Sequence, residues 1–273
     1  MRQLLAIALL LGGVSSTQAE EIRVLTAGSL KNALVAFATE FEKNHDAHVT
    51  LIGGPAGALR DRIIGGEAFD LYATAAFPQA QALTDKGLAR ASVLIARNKL
   101  CVLVRSDSEI TPDTLIEALL RPNTKPGTST PKSDPAGDYT WEFFRRLDRE
   151  HPGAYEALSG RAQMLFGGAE RKTGEQGSDK GSDPISRALD DESVDVVFLY
   201  CSGALPKAVQ SAGKYRAFAL PEPYAITAEY GLTLSPLASS LAVDFFLAVL
   251  SPSGQETLRR FGFIPVTTPS STH

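Results

Sequence analysis

The sequence predicts an α/β protein with two lobes, each built on a mostly parallel sheet flanked by helices, and a ligand cleft at the hinge between them. Two observations carry this prediction. Short apolar runs alternate with stretches in which apolar residues recur at helical spacing. The chain of 273 residues is also long enough for each of two lobes to bury its own core.

Strand and helix alternate regularly over the first hundred residues. We expect strands at 22–27, 49–52, 71–75 and 100–104. We expect helices at 30–43, 58–64 and 78–86, the last with Pro78 in its first turn. A strand–helix–strand order of this kind requires crossover helices and parallel strands.

The second half of the chain predicts fewer elements. Thr111 and Pro112 have the residue types of a helix N-cap and first position, and an amphipathic helix is expected from Asp134 to about Arg149. A strand is expected at 194–199, followed by apolar helices at 237–250 and 254–261. Between 167 and 183 the chain is polar and aperiodic, which predicts a surface loop that is either a binding edge or an insertion.

These elements divide the chain into lobes. Residues 20–105 are expected to form the first part of lobe 1, residues 106–222 lobe 2, and residues 223–273 the return to lobe 1 with its closing helices. Two crossings between the lobes would make a hinge, which is a favoured place for a ligand.

The first 19 residues predict a signal peptide. Arg2 is followed by an apolar run at 4–11 and by the small-x-small sequence Thr17-Gln-Ala19. The run is shorter than the roughly 20 residues that span a bilayer. We therefore expect cleavage after Ala19 and export to the periplasm.

Charge and cysteine content narrow the function classes. Lys and Arg number 27 against 31 Asp and Glu, a net charge of -4, so the basic surface of a nucleic-acid-binding protein is absent. We expect a monomer. Cys101 and Cys201 each lie in an apolar run, which favours buried free thiols, with a disulfide as the alternative in an oxidising compartment.

Three turns place small residues between a strand and a helix start, at 27–30, 53–58 and 134–138. Backbone N–H groups at a helix start attract anions, and small side chains let an anion approach them closely. Ser29 adds a hydroxyl donor at the first turn. Because the third turn belongs to the other predicted lobe, the pattern favours an anion held in the cleft.

The residues of these turns and of other segments resemble those of one family. The matching segments are Ala27-Gly-Ser-Leu with Asn32-Ala-Leu, Gly54-Pro-Ala-Gly-Ala-Leu, Asp70-Leu-Tyr-Ala, Asp134-Pro-Ala-Gly-Asp-Tyr, Phe198-Leu-Tyr and Arg260-Phe-Gly-Phe-Ile-Pro. In this order they resemble the periplasmic molybdate-binding proteins of ABC importers. The resemblance implies a type II periplasmic-binding-protein fold that closes around molybdate or tungstate, needs no cofactor and delivers its ligand to an ABC permease of the inner membrane.

Carried over position by position, the resemblance implies six ligand-binding residues: Ser29, Ala56, Gly57, Ala136, Ile185 and Tyr200. Ser29 and Tyr200 would contribute hydroxyl groups, and the others backbone N–H groups. At Ala56 the family usually has a serine, so this chain lacks one hydroxyl donor there. A direct cation site is not implied, because the metal would arrive as its oxyanion.

Two other functions stay open at this point. The same turns would suit sulfate, phosphate or a small organic acid. A secreted hydrolase is less favoured, because the sequence has no G-x-S-x-G motif and no metal-binding H-E-x-x-H motif. The histidines lie in polar or terminal segments, at His45, His48, His151 and His273. The sequence thus predicts a binding protein and not an enzyme.

Overall fold

The computed structural model describes residues 19–168 and 183–266. Most of the expected signal peptide and most of the expected polar loop, residues 1–18 and 169–182, lie outside the described residues. Within the described part, no helix combines the length and the apolar character needed to cross a membrane.

Ten strands in the described residues form one continuous sheet. They are β1 (Glu20–Ala27), β2 (Ala47–Gly54), β3 (Leu71–Thr74), β4 (Ala91–Arg105), β5 (Pro126–Ser129), β6 (Gln163–Phe166), β7 (Val196–Tyr200), β8 (Tyr215–Ala219), β9 (Thr227–Leu234) and β10 (Ile264–Pro265). The strand order is β2-β1-β3-β9-β4-β7-β5-β6, and β8 and β10 also pair with β4.

Helices cover the sheet. They are α1 (Lys31–Glu42), α2 (Ala56–Ile64), α3 (Phe77–Asp85), α4 (Leu115–Leu120), α5 (Pro135–Glu150), α6 (Ala154–Arg161), α7 (Pro184–Asp190), α8 (Cys201–Gln210), α9 (Ser240–Leu250) and α10 (Pro252–Arg260). A short 3-10 turn, Gly28–Leu30, joins β1 to α1.

The long strand β4 connects two parts of the sheet. Its residues 91–99 pair with β9, and its residues 101–105 pair with β8, while 100–104 pair with β7. We call β1, β2, β3, β9, β10 and the beginning of β4 the first sheet region. The second sheet region comprises β5, β6, β7, β8 and the end of β4. The chain also passes between the regions at 220–226, where backbone bonds join Leu100 to Leu220 and Ile226.

The α/β class is confirmed, but the sheet is mixed rather than mostly parallel. The pairs β1–β2, β1–β3, β5–β6 and β5–β7 are parallel. Strand β9 runs antiparallel to both β3 and β4, and β4 runs antiparallel to β7 and β8. The antiparallel pairs all involve β4 or β9, the two strands at which the chain leaves and re-enters the first sheet region.

Each sheet region has its own apolar core. In the first region the closing helix α9 packs on α1, with the Phe245 ring 5.0 Å from the rings of Phe37 and Phe41. In the second region Phe143 and Phe144 of α5 pack on Phe198 of β7.

Two local expectations are wrong. The helix expected at Thr111 begins only at Leu115; residues 112–114 form a turn in which the Thr114 N–H donates to the Thr111 hydroxyl. Strand β4 begins nine residues before the expected strand at 100–104. Its first half contains an apolar run at 93–96, but the polar residues Arg97, Asn98 and Lys99 separate this run from the expected strand, and the pairing with β9 keeps the chain extended through them.

The expectation of free thiols is also wrong, because Cys101 and Cys201 form a disulfide. The antiparallel register of β4 and β7 pairs Leu100 with Tyr200, which places the two cysteines beside one another. Their Cα atoms are 4.9 Å apart although they are 100 positions apart in the sequence. Both cysteines are buried, as the apolar runs predicted.

Candidate functional site

A cavity of about 270 Å³ lies between the two sheet regions. The first region contributes the turn after β1, the start of α1 and the residue that follows β3. The second region contributes the start of α5, the end of β6, the end of β7 and the start of α8. The lining residues are Ala27, Gly28, Ser29, Asn32, Ala75, Asp134, Pro135, Ala136, Phe166, Leu199, Tyr200, Ser202 and Gly203.

Ser29 lies in the 3-10 turn that follows β1. The turn forms because the small residues Ala27 and Gly28 let the chain pass directly from a buried strand into α1. The Ser29 hydroxyl oxygen accepts a hydrogen bond of 3.1 Å from the Tyr230 hydroxyl. A serine hydroxyl is both donor and acceptor, so its own proton remains available to a ligand.

Tyr200 is the last residue of β7 and is almost completely buried. Its hydroxyl donates to the carbonyl oxygen of Ala75 across the gap between the regions, at 3.3 Å. Its ring has edge contacts with Tyr139 and Tyr230 at centroid distances of 6.3 and 5.4 Å. Burial raises the pKa of Tyr200 well above its ordinary value, so the group is a neutral hydrogen-bond donor.

Asp134 is the N-cap of α5. One carboxylate oxygen, Oδ1, accepts hydrogen bonds from the Ala136 N–H at 2.9 Å and from the Ser129 hydroxyl at 3.0 Å. Burial raises the pKa of the carboxyl, and these two hydrogen bonds lower it, with burial the larger effect. The N–H of Ala136, expected to face the ligand, is therefore bonded to the capping carboxylate in this structure.

The other three expected positions do not line this cavity. The Gly57 N–H donates to the Ser133 carbonyl oxygen at 3.1 Å, which joins α2 to the loop before α5. The carbonyl of Ala56 accepts a hydrogen bond from the Tyr72 hydroxyl at 2.7 Å. The Ile185 N–H donates to its own N-cap, Asp183, at 3.1 Å. The structure thus brings together Ser29, Ala136 and Tyr200, and leaves these three outside.

A buried polar network behind the cavity was missed from the sequence. The Asn98 amide nitrogen donates to the Ser202 hydroxyl at 2.6 Å and to the Tyr230 hydroxyl at 3.4 Å. Tyr230 then donates to Ser29, so the network runs from β4 to the cavity wall. The signal that the sequence offered was Asn98, a polar residue close to an apolar run. The structure shows that Asn98 is buried. Buried polar groups are retained when their partners satisfy them.

A second cavity of about 540 Å³ adjoins the first and shares Ser29, Asn32, Ser202 and Gly203 with it. Lys207 and Arg260 also line it. The Lys207 ammonium is 2.6 Å from an Asp183 carboxylate oxygen, and Arg260 donates to the Thr257 hydroxyl at 3.0 Å. In the described part of the chain, the cationic groups border this second cavity and not the first.

The donor set of the first cavity consists of hydroxyl and backbone groups, with one carboxylate. Within residues 19–168 and 183–266, no cluster of three or more His, Cys, Asp or Glu residues has the arrangement of a metal site. A cavity of this size between two sheet regions, with a few converging polar groups, is typical of a protein that binds a small solute between its halves.

The comparisons identify the family. The model of the bacterial extracellular solute-binding protein family matches residues 22–264, and the chain belongs to this family. Proteins of this family are extracytoplasmic, work with ABC permeases and bind small ligands. The chain is also 28% identical over 246 residues to the uncharacterized protein PM1146 of Pasteurella multocida, covering 89% of this chain and 98% of that protein.

Solved structures share the fold at low identity. The periplasmic molybdate-binding protein of Azotobacter vinelandii superposes with a TM-score of 0.67 at 16% identity, covering 90% of this chain and 100% of the other. The sulfate-binding protein SubI of Mycobacterium tuberculosis gives 0.72 at 16% identity and covers 90% and 87%. Iron-bound HitA of Pseudomonas aeruginosa gives 0.68 at 14% identity and covers 93% and 90%. These likenesses establish the type II periplasmic-binding-protein fold.

Proposed function

We propose that the solute is a tetrahedral oxyanion, with molybdate and tungstate as the first candidates, and that the protein delivers it to an ABC permease. The observation that carries the proposal is the pair of hydroxyl groups of Ser29 and Tyr200. They come from different sheet regions and line the same cavity. A solute that bonds to both would hold the two regions together.

The physical chemistry of the cavity suits an anion held by neutral groups. The N–H groups of the turn at 28–30 and of the start of α1 lie at the positive end of a helix. Hydrogen bonds from neutral donors to an ion contribute roughly 1.5–3 kcal/mol each. A cavity of about 270 Å³ has room for a tetrahedral oxyanion and a few water molecules.

The sequence and the comparisons support the same ligand class. The turns at Ser29 and Ala136 resemble those of molybdate-binding proteins, and two matched folds are named for molybdate and sulfate. The export signal at 1–19 and the monomeric state stay predictions.

A panel of anions tests the proposal by isothermal titration and by thermal unfolding. The panel contains molybdate, tungstate, sulfate, phosphate and small dicarboxylates. A bound oxyanion at 100 times its Kd should stabilise the protein by about 2.7 kcal/mol. Molybdate and tungstate should act at lower concentration than sulfate, whose smaller radius reaches fewer of the fixed donors.

Control variants locate the ligand. The Ser159 hydroxyl bonds only to backbone carbonyls in α6 and does not line the cavity, so Ser159→Ala should bind like the wild type. Ser29→Ala should bind more weakly. If none of the oxyanions changes the melting temperature of the wild type, the proposed ligand class is wrong.

A further inference from the structure

Asp134 lines the cavity, and one of its two carboxylate oxygens accepts no hydrogen bond from the described residues. Oδ1 accepts hydrogen bonds from Ala136 and Ser129, whereas Oδ2 accepts none from the described residues. Asp134 lines the same cavity as Ser29 and Tyr200. An ionised carboxylate oxygen is a hydrogen-bond acceptor, and the oxygens of a fully ionised anion are acceptors as well. The two can form a hydrogen bond with one another only if one of them carries a proton.

The surroundings of Asp134 make the negative charge costly. The backbone of Gly167 closes over the side chain, since a Cβ atom built there would lie 3.0 Å from Oδ2. Burial is the largest influence on the carboxyl and raises its pKa, and the nearby Asp138 raises it further. In the described part of the chain, no lysine or arginine lines the first cavity to offset the charge of Asp134.

The titratable groups that interact electrostatically with Asp134 are Asp138, which also lies on α5, Tyr200 at the end of β7 and Tyr230 on β9. Burial raises the pKa of both phenols, so both stay neutral at physiological pH. Among the described residues that line the cavity, Asp134 is the one that carries a carboxyl group.

We propose that the protein takes up its oxyanion together with one proton, which is held between Asp134 Oδ2 and an oxygen of the ligand. This inference rests on the proposed function, because it requires an oxyanion in the same cavity. For a fully ionised ligand such as molybdate or sulfate, the proton comes from the solvent and is bonded to Asp134. For phosphate, the hydrogen phosphate ion brings the proton itself.

The proton decides how affinity changes with pH. Between the pKa of the Asp134 carboxyl in the free protein and its higher pKa in the complex, the Kd for molybdate should rise about tenfold for each pH unit, because binding in that interval takes up one proton. The Kd for phosphate should change much less between pH 7.5 and 9, where hydrogen phosphate is the main species in solution. Asp134 would thus select for oxyanions that retain a proton.

The test is isothermal titration with molybdate and with phosphate from pH 6 to 9, in buffers of different ionisation enthalpy. The wild type should take up close to one proton per molybdate at the upper end of this range. Asp134→Asn keeps an N-cap side chain, and its amide can donate to the ligand. This variant should take up no proton, and at high pH it should bind molybdate more tightly than the wild type.

Asp138→Asn is the matched control. It removes a carboxylate four residues further along α5, whose Oδ1 accepts a hydrogen bond from the Lys132 N–H and which does not line the cavity. This variant should keep the proton uptake. A molybdate Kd independent of pH in the wild type, or an equal pH slope in Asp134→Asn, would overturn the inference. Failure of the wild type to bind any oxyanion at any pH would instead overturn the proposed function.

Discussion

Replacing Gly57 by alanine should hold the two sheet regions apart without altering any residue that lines the cavity. Gly57 is the second residue of α2, and its N–H donates to the Ser133 carbonyl of the other region. A Cβ atom at this position would lie 2.5 Å from the Lys132 carbonyl oxygen and 3.1 Å from that of Ser133. Both contacts are with backbone, which cannot rotate away.

The size of the effect follows from these contacts. Ordinary packing needs about 3.4 Å, so α2 and the loop before α5 must separate by about 0.9 Å. Overpacking of this kind costs about 1–3 kcal/mol, and the Gly57 hydrogen bond contributes about 1 kcal/mol more. A total of about 3 kcal/mol against the closed arrangement corresponds to roughly a 100-fold rise in the Kd of a ligand that binds only between the closed regions.

The assay is a titration with the oxyanion that the wild type binds, together with small-angle scattering of the ligand-free protein. Gly57→Ala should bind more weakly and have a larger radius of gyration. Gly160→Ala is the control, because a Cβ atom there meets nothing within 4 Å and Gly160 lies in the helix α6. It should raise the stability by roughly 0.5–1 kcal/mol and leave the affinity unchanged. An unaltered Kd and an unaltered radius in Gly57→Ala would refute the argument.

Three further predictions concern single groups. Ser29→Ala and Tyr200→Phe should each raise the oxyanion Kd about 5- to 150-fold in a titration, because a lost donor costs about 1–3 kcal/mol; normal affinity in both would place the anion elsewhere. Thiol titration in denaturant without reductant should find no free thiol. Changing both Cys101 and Cys201 to alanine should lower the free energy of unfolding by up to about 4.7 kcal/mol, because the disulfide closes a loop of about 100 residues. Two free thiols would show that the disulfide does not form. Ligand-free Asp134→Asn should melt at a higher temperature than the wild type at neutral pH, and the difference in melting temperature should disappear below pH ~3.9. The reason is that folding raises the pKa of the Asp134 carboxyl, so the wild type loses stability as the pH rises through that pKa. An equal difference in melting temperature at every pH would contradict this.

Periodicity predicted the first part of the fold well. The strands and helices from β1 to α3 were expected within a few residues of their observed bounds. Each of them buries apolar side chains that recur at the spacing of its own secondary structure, and this spacing is visible in the local sequence. The strand β9 was not expected, and the first half of β4 was missed with it. The apolar run at 93–96 of β4 is separated from the expected strand at 100–104 by three polar residues, and it is the pairing with β9 that joins both runs into one strand.

The site was only partly predictable for the same reason. Ser29, Ala136 and Tyr200 could be assigned from motifs because each lies at the end of a strand or the start of a helix. Asn98 and Tyr230 join the cavity through contacts between distant strands, and no spacing in the sequence shows this. The pairing of the cysteines likewise depends on the register of β4 against β7.

The disulfide also makes the second sheet region a covalent ring. The bond between Cys101 and Cys201 encloses the strands β5, β6 and β7 and the helices α4 to α7. A protease that cuts the chain once, anywhere from 102 to 200, therefore leaves both pieces attached to one another. Such a nicked molecule would migrate as one species until it is reduced. Because both sulfur atoms belong to the second sheet region, the ring resists fragmentation and does not tie the two regions together.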